Sequence, residues 1–215
     1  MGDRCSSFQE LPTRRRILTH FKERDPKMAA VIQTVGPFQL KRNRNYFVVL
    51  CRSIVSQQIS VAAADTIYGR FQQLFDGRSP TPERVSQLKE EAMRGAGLSR
   101  QKAAYLQDLS RRFLDGTVRS RQLIHLDNEE IIDRLTTVHG IGRWTAEMFL
   151  IFSLNRLDVL PVDDLGLRVA VQNIYGMNDR PDAKRLRLLG KKWNPFETVA
   201  TWYGWRSLNP DIVNY

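Results

Sequence analysis

Apolar residues recur three or four positions apart along most of the chain, which is the spacing of one face of an α-helix. Between Tyr46 and Ser56, for example, this spacing joins Phe47, Leu50 and Ile54. Runs that alternate apolar and polar residues in the manner of strands are few. The pattern predicts an all-α protein, with further helices over residues 60–75, 99–114, 131–138, 143–154 and 164–175.

Capping and turn residues indicate where some of these helices begin and end. Asp127 and Glu130 have the spacing of a capping box, in which each side chain accepts a hydrogen bond from the other residue's backbone N–H. The dipeptide Asn194-Pro195 interrupts the final segment, residues 184–215. We therefore expect that segment to form two helices.

The charge is strongly positive, because 33 Lys and Arg residues stand against 23 Asp and Glu residues, a net charge of +10. Of the cations, 25 are Arg, whose planar guanidinium binds phosphate oxygens in pairs. This balance predicts a polyanionic partner, although a GC-rich genome would also enrich Arg. Residues 1–45 carry +6, residues 46–177 carry +1 and residues 178–215 carry +3. The two basic ends are expected to form one unit beside a neutral middle domain, the alternative being two solvated tails.

Composition also excludes several classes of protein. The two cysteines, Cys5 and Cys51, are too few for a disulfide framework or an iron–sulfur cluster, and the three His residues have no paired spacing. Uninterrupted apolar runs such as Met148 to Phe152 are far too short to span a bilayer. We expect a protein outside the membrane that requires no cofactor.

The segment from Leu135 to Ala146 has the form of two helices joined by the turn His139-Gly140-Ile141-Gly142. Glycine at both turn positions permits a positive φ and close approach of another molecule. The N-terminus of the following helix offers backbone N–H groups to a phosphate. No Lys-Ser or Lys-Thr follows the turn, so a P-loop is not supported. The alternative is a plain helical hairpin whose glycines only permit close packing.

Twenty residues after Trp144, Asp164 is placed to open another helix. With this spacing the chain resembles the helix-hairpin-helix (HhH-GPD) DNA glycosylase superfamily. The amino-acid sequence of the hairpin and the Trp202-Tyr203 pair near the C-terminus resemble its 3-methyladenine DNA glycosylase II (AlkA-like) branch. The resemblance extends from about residue 46 to residue 205. The resemblance implies a two-lobed all-α fold with the active site in the interlobe cleft. One domain would comprise residues 46–154, and the second residues 1–45 plus 155–215.

The resemblance implies a monofunctional enzyme of base excision repair. It would hydrolyse the N-glycosidic bond of alkylated purines, such as 3-methyladenine and 7-methylguanine, flipped out of double-stranded DNA, and leave an abasic site. Strand-cutting relatives carry a Lys where this chain has Trp144, so lyase activity is not expected. The implied protein is a monomer, found with the nucleoid in a bacterial cytoplasm or in a eukaryotic nucleus. The alternatives are a non-catalytic helix-hairpin-helix DNA-binding module and a glycosylase for an oxidised or mismatched base.

The resemblance assigns catalysis to Asp164, with Asp163 as the weaker alternative. A fixed carboxylate would stabilise the positive charge that develops on the sugar as the base departs, or orient the attacking water. Asp is also a favoured residue at a helix N-cap, and the two roles are compatible.

Recognition of a cationic base would fall to aromatic side chains. The matching pocket positions are Trp202, Tyr203 and Trp144, whereas Leu165 and Met148 stand where the family has tyrosines. For the C-terminal tryptophans the alternative role is core packing.

The resemblance also implies which residues would contact the DNA outside the base pocket. Gln58, with Ile59 beside it, would fill the gap that the flipped base leaves, and the alternative for Gln58 is an exposed polar residue. Backbone N–H groups would hold one phosphate, and carbonyl groups of the hairpin would hold a structural Na⁺ or K⁺. The N–H groups are those of Gly140, Gly142 and Thr145, and the carbonyls are those of Thr136, Val138 and Ile141.

Overall fold

A computed structural model describes residues 11–209 of the protein. Within that range the secondary structure consists of thirteen α-helices and contains no strand, so the all-α prediction is confirmed. The helices are α1 (Arg14–Arg24), α2 (Pro26–Val35), α3 (Tyr46–Ser56), α4 (Val61–Gln73), α5 (Pro82–Ser86), α6 (Glu90–Gly95), α7 (Arg100–Leu114), α8 (Ser120–Leu123), α9 (Asn128–Thr136), α10 (Arg143–Leu154), α11 (Leu165–Tyr175), α12 (Ala183–Gly190) and α13 (Glu197–Leu208).

The capping and turn signals correspond to real helix ends. Asp127 accepts a hydrogen bond from the backbone N–H of Glu130 at 2.9 Å, and the Glu130 carboxylate accepts one from Asp127 N at 2.8 Å. The predicted capping box is therefore confirmed at the start of α9. The segment containing Asn194-Pro195 separates α12 from α13, as expected.

The chain divides into two compact units. The terminal unit combines the described residues up to Arg42 with those from Leu150 onward, and the central unit is Asn43–Phe149. One boundary therefore falls within α10.

In the terminal unit, α2, α11 and α13 pack against one another and α1 packs on α2. Apolar side chains from these helices and from the segment before α13 are excluded from water, which is the main source of stability for such a unit. Its fully buried side chains include Ile17, Phe21, Met28, Ile32, Leu167, Val171, Trp193, Val199 and Tyr203.

In the central unit, α7 packs against α3, α5 and α6, while α4 packs on α3. Its fully buried side chains include Leu50, Ile54, Phe71, Leu106, Leu109 and Leu135. Cys51 lies in this core as a free thiol, and burial raises its pKa above the usual range, which disfavours the reactive thiolate. Cys5 lies outside the described residues.

Among residues 11–209, no helix is long and apolar enough to cross a membrane. In the same range, no group of three or more His, Cys, Asp or Glu side chains is placed to hold a metal ion.

Candidate active site

Asp164 lies at the N-cap of α11, where the sequence predicts it. Its Oδ1 accepts a hydrogen bond from the backbone N–H of Leu167 at 2.6 Å, as an N-cap residue does. The same oxygen accepts a second hydrogen bond from the indole Nε1 of Trp205 at 2.7 Å. The residue is only 8% exposed, so the structure presents a carboxylate that is nearly buried and held by donors from two helices.

Asp163 differs from its neighbour in both exposure and partners. Its side chain is 65% exposed and forms an ion pair with Arg168, at 2.9 Å between Oδ1 and Nη2. Arg168 also donates from Nε to the Val162 carbonyl at 2.7 Å. Of the two carboxylates, Asp164 is the one in a fixed, partly desolvated setting, which favours the choice made from the sequence.

Trp202 and Tyr203 lie on α13 and are buried in the terminal unit. Trp202 is 3% exposed and makes edge-to-face contacts with Phe38 at 5.3 Å and with Tyr203 at 4.9 Å between ring centroids. Within the described part of the chain, its buried indole Nε1 has no hydrogen-bond partner. An unpaired buried N–H costs free energy unless a ligand satisfies it.

Tyr203 is packed for a structural role. It is fully buried, and its hydroxyl donates to the Gly36 carbonyl at 2.8 Å. Burial raises the pKa of Tyr203 to about 12. These contacts account for Tyr203 by core packing, and its place in a base pocket stays a prediction.

The remaining pocket positions differ in exposure. Trp144 lies in the first turn of α10 with its side chain exposed, and Leu165, directly after Asp164, is also exposed. Met148, one turn after Trp144, is buried. Of the two positions where the family has tyrosines, only Leu165 is therefore at the surface.

The hairpin turn between α9 and α10 depends on Gly140. Its φ is +84°, and a Cβ at this position would lie 2.1 Å from Cδ2 of Tyr105 on α7. Only glycine avoids both the backbone strain and the clash. The sequence analysis expected that glycine would permit a positive φ in this turn, and Gly140 has one.

Gly142 is different. Its φ is not positive, so the expectation of left-handed backbone at both glycines is wrong for this one. A Cβ at Gly142 would meet no other atom within 4 Å. The glycine therefore leaves open space beside the first turn of α10, instead of permitting an unusual conformation.

The predicted phosphate site lies at the start of α10. The backbone N–H of Ala146 bonds to the Gly142 carbonyl at 3.1 Å and begins the hydrogen-bond ladder of the helix. The N–H of Thr145 precedes that ladder, and the positive end of the helix dipole lies here. The Thr145 side chain itself is buried.

Asp108 on α7 anchors the turn from the other side. Its Oδ2 accepts a hydrogen bond from the backbone N–H of His139 at 2.8 Å and lies 3.1 Å from His139 Nδ1, while Oδ1 pairs with Arg111. Burial by itself would raise the pKa of Asp108, but the His139 and Arg111 hydrogen bonds outweigh it and hold the pKa below the usual range. The hairpin is therefore tied to a charged carboxylate.

The predicted wedge lies on a loop that contacts the hairpin within the central unit. Gln57 donates from Nε2 to the Gly140 carbonyl at 2.8 Å. The next residue, Gln58, has a φ of +58° and an exposed side chain, and Ile59 is exposed as well. A left-handed Gln is unusual, and it turns the chain sharply after α3. Gln58 and Ile59 are thus at the surface, as a wedge would need to be.

The three predicted cation ligands are neutral backbone carbonyls of the hairpin. The Val138 carbonyl accepts a turn hydrogen bond from Ile141 N at 3.1 Å, which occupies one of its two lone pairs. Thr136 is the last residue of α9, where helix carbonyls lack an intrahelical donor. Uncharged oxygen ligands of this kind fit Na⁺ or K⁺ better than a strongly charged metal.

Sequence reasoning gave no role to several residues that support either the hairpin or Asp164: Gln57 and Asp108 at the hairpin, and Phe152, Gly166 and Trp205 at Asp164. For Trp205 it considered core packing as the alternative and did not predict the contact with Asp164. Its spacing three residues after Trp202 was the available signal, because residues three apart on a helix are neighbours.

The fold, the hairpin and the Asp that opens α11 define a class of protein. Residues 51–195 match the family model described as HhH-GPD superfamily base excision DNA repair protein. This match covers most of the chain, and the protein belongs to the HhH-GPD superfamily, as the sequence predicted.

Individual relatives are more specific. The chain is 34% identical over 193 residues to DNA-3-methyladenine glycosylase 1 of Schizosaccharomyces pombe, covering 87% of this chain and 85% of the relative. The crystal structure of a DNA-3-methyladenine glycosidase from Bacillus halodurans matches with a TM-score of 0.81 at 39% identity, over 89% of this chain and 88% of that one. The structure of the S. pombe 3-methyladenine DNA glycosylase in complex with abasic DNA matches with a TM-score of 0.77 at 34% identity, over 89% and 95%.

Proposed function

We propose that this protein is a DNA glycosylase of base excision repair that removes alkylated purines from double-stranded DNA and leaves an abasic site. The names of its relatives support the reaction and the class of lesion. The observation that carries the proposal is the Asp164 carboxylate, nearly buried at the N-terminus of α11 and held by Leu167 N and Trp205 Nε1.

Asp164 acts on the charge that the reaction creates. The bond between the sugar C1′ and the base nitrogen breaks, and its electron pair leaves with the base. The sugar becomes an oxocarbenium-like cation, which a fixed carboxylate stabilises. Water then adds to C1′ and loses a proton. Because an alkylated purine is already cationic, it departs as a neutral base and needs no strong general acid.

Trp202 is the strongest candidate for contact with the base. It lies three residues before Trp205 on α13, and Trp205 contacts Asp164, so Trp202 is one turn from the carboxylate's partner. The Arg206 guanidinium lies over the Trp202 ring, 5.6 Å from the ring centroid, and in this proposal a cationic base takes that place while the unpaired Nε1 donates to an acceptor on the base. Tyr203 supports the ring by an edge-to-face contact. Trp144 stays a predicted pocket residue on the central unit.

The hairpin and the loop after α3 hold the DNA in this proposal. The N–H groups of Gly140, Gly142 and Thr145 bind one phosphate. A Na⁺ or K⁺ on the carbonyls of Thr136, Val138 and Ile141 would supply positive charge beside that phosphate. Gln58, with Ile59, enters the gap left by the flipped base. Exposed Arg and Lys side chains add attraction that is independent of sequence and weakens with salt.

The proposed enzyme hydrolyses the glycosidic bond and does not cut the strand. A lyase reaction needs an amine nucleophile, and Trp144 stands at the position where strand-cutting relatives have Lys. We propose that the protein acts as a monomer, in the nucleoid of a bacterium or the nucleus of a eukaryote.

The direct test incubates the wild-type protein and the Asp164→Asn variant with methylated duplex DNA and identifies the released bases by chromatography. Release of 3-methyladenine or 7-methylguanine by the wild type, with loss of release but retained DNA binding in Asp164→Asn, supports the proposal. DNA binding without release of any base by the wild type would favour a binding module. Borohydride trapping of a covalent adduct would contradict the assignment as a simple hydrolase.

The two hairpin glycines offer a matched test of phosphate binding. Gly142→Ala adds a methyl group where the structure leaves open space, so the variant should fold normally and bind DNA more weakly. Gly140→Ala clashes with Tyr105 and should lower the melting temperature as well. Unchanged DNA affinity in Gly142→Ala would contradict close approach of the phosphate at this residue.

A further inference from the structure

Trp205 connects α13 to the N-terminus of α11. Its indole Nε1 donates to Asp164 Oδ1 at 2.7 Å, although the two residues are 41 positions apart in the sequence. The helix cap itself needs only the hydrogen bond from Leu167 N, which reaches the same oxygen at 2.6 Å. The Trp205 hydrogen bond is therefore additional to capping.

The surroundings hold the Trp205 ring in place. The ring stacks on Phe152 of α10, with centroids 5.9 Å apart and planes inclined by 14°. Gly166 provides room for the contact, because a Cβ there would lie 3.2 Å from both Asp164 Oδ1 and Trp205 Cδ1. Phe152, Trp205, Gly166 and Asp164 thus form one packed arrangement within the terminal unit, which we call the Trp205 brace.

The brace restricts a motion that a cap alone leaves open. One hydrogen bond fixes the position of a carboxylate oxygen but lets the carboxylate plane tilt about it. A second donor, arriving from another helix, limits that tilt. Electrostatic stabilisation of a transition state depends on such fixed orientation, because a group that must reorient during the reaction stabilises the new charge less well.

We propose that Trp205 is a positioning residue: its indole N–H orients the Asp164 carboxylate for base release. The inference rests on the proposed role of Asp164. It predicts a loss in the rate of the chemical step with little change in binding, because Trp205 acts through Asp164.

The test is Trp205→Phe, which keeps a ring that can stack on Phe152 and removes the N–H donor. Loss of a hydrogen bond to a charged group corresponds to about 10- to 100-fold, and we expect a fall of that size in the single-turnover rate of 7-methylguanine release. Affinity for DNA containing an abasic site should change less than about 2-fold, since the hairpin contacts are unaltered.

Trp193→Phe is the matched control. Trp193 also donates its indole N–H to a carboxylate of the terminal unit, Asp25 Oδ2, at 3.0 Å, and it is fully buried. This variant should lower the melting temperature while leaving the single-turnover rate unchanged below the unfolding transition. If Trp205 had only a structural role, Trp205→Phe would behave like Trp193→Phe, with a lower melting temperature and an unchanged single-turnover rate.

A second variant covers failure of Trp205→Phe to fold. Gly166→Ala places a methyl group against both partners of the hydrogen bond without removing either one. A reduced single-turnover rate at unchanged affinity, together with a shifted ¹H–¹⁵N signal of the Trp205 indole, supports the inference. A full rate in a variant whose Trp205 indole signal has shifted overturns it.

The indole resonances give an independent reading of the contact. In Asp164→Asn, the ¹H–¹⁵N signal of the Trp205 indole should shift while that of Trp193 stays in place. An unmoved Trp205 signal would overturn the proposed contact.

The results also separate this inference from the proposed function. A normal rate in Asp164→Asn removes the catalytic assignment and the brace with it. An inactive Asp164→Asn beside a fully active Trp205→Phe overturns the brace alone.

Discussion

Asp25 and Asp164 are built from the same parts. Each is an N-cap of a helix in the terminal unit, and each accepts a hydrogen bond from the backbone N–H three residues later. Each also accepts an indole N–H from a tryptophan far along the chain, Trp193 for Asp25 and Trp205 for Asp164. The local sequence therefore cannot separate their roles.

The surroundings of the two carboxylates do separate them. Asp25 is 2% exposed, and its Oδ2 accepts both the Trp193 indole and the hydroxyl of Tyr175 on α11. Asp164 is 8% exposed and is followed by Leu165, whose side chain is 59% exposed. A carboxylate enclosed by donors joins helices, whereas one held at the edge of the unit can stay oriented and still face a substrate. Both carboxylates are held in place by hydrogen bonds. What distinguishes Asp164, the candidate catalytic residue, is the exposed surface beside it.

The largest expected difference is in activity. Asp164→Asn should reduce the single-turnover rate of base release by about 100-fold or more, the size seen when one transition-state stabilising group is removed. Asp25→Asn should remain within about 2-fold of the wild type below its melting temperature, because rates respond only to groups that stabilise the transition state. Equal losses of rate in the two variants would contradict the different roles given to Asp164 and Asp25.

Stability should respond in the opposite order. Asp25→Asn keeps a capping side chain but loses the charge that accepts the Tyr175 and Trp193 hydrogen bonds, which should cost about 2 kcal/mol. Asp164→Asn should cost about 1 kcal/mol, because the charge that accepts the Trp205 indole hydrogen bond is lost. Urea unfolding of both variants measures the difference, and a larger loss in Asp164→Asn would contradict the structural reading of Asp25.

The pH dependence of stability in Tyr175→Phe tests the structural role of the Asp25 cluster. Burial, and then the hydrogen bond to Asp25, raise the pKa of Tyr175 above its usual value near 10. The folded protein therefore keeps the phenol proton where the unfolded chain loses it, so this contribution is complete below about pH 10 and is lost as pH rises above that value. The variant should be less stable than the wild type by about 1 kcal/mol at pH 7.

The gap between wild type and Tyr175→Phe should narrow when unfolding is measured above pH 10. A gap that is constant from pH 7 to pH 11 would show that the Tyr175 proton contributes nothing to stability. A variant at a tyrosine outside the Asp25 cluster, such as Tyr105→Phe, serves as the control.

The smallest effect is expected at the neighbouring carboxylate. Asp163→Asn breaks an exposed ion pair with Arg168, and such pairs contribute about 0–1 kcal/mol. Its rate of base release should stay within about 2-fold of the wild type. A loss comparable to that of Asp164→Asn would transfer the catalytic assignment to Asp163.

Much of the hairpin could be predicted from the sequence, because its signals are local. Helical spacing predicted α10 with its observed bounds, Arg143–Leu154, and the Asp127–Glu130 capping box marks the start of α9. The turn glycines were expected to permit a positive φ, and Gly140 has one. Such signals depend on residues within one or two turns of each other, so a single sequence contains them.

Other features of the site depend on residues far apart in the chain and could not be read from the pattern. Nothing near Gly140 indicates that Gln57 donates to its carbonyl or that Tyr105 fills the space beside it. Gly142 was expected to have a positive φ because nothing in the local sequence distinguishes it from Gly140. Only the packed hairpin separates a glycine needed for its backbone conformation from one that leaves open space.

By itself, the sequence determined the all-α class and most of the longer helices after residue 45, the spacing from the hairpin to Asp164 and the positive charge, since each follows from neighbouring residues or from composition. The tertiary structure decided which carboxylate is held, by what and how exposed it is. Asp25, Asp163 and Asp164 are the same residue type. Asp163 pairs with the nearby Arg168, whereas Asp25 and Asp164 are held by Tyr175 and Trp205, which folding brings to them from far along the chain. Orientation and desolvation are properties of packed neighbours, and packing is settled only when distant segments meet.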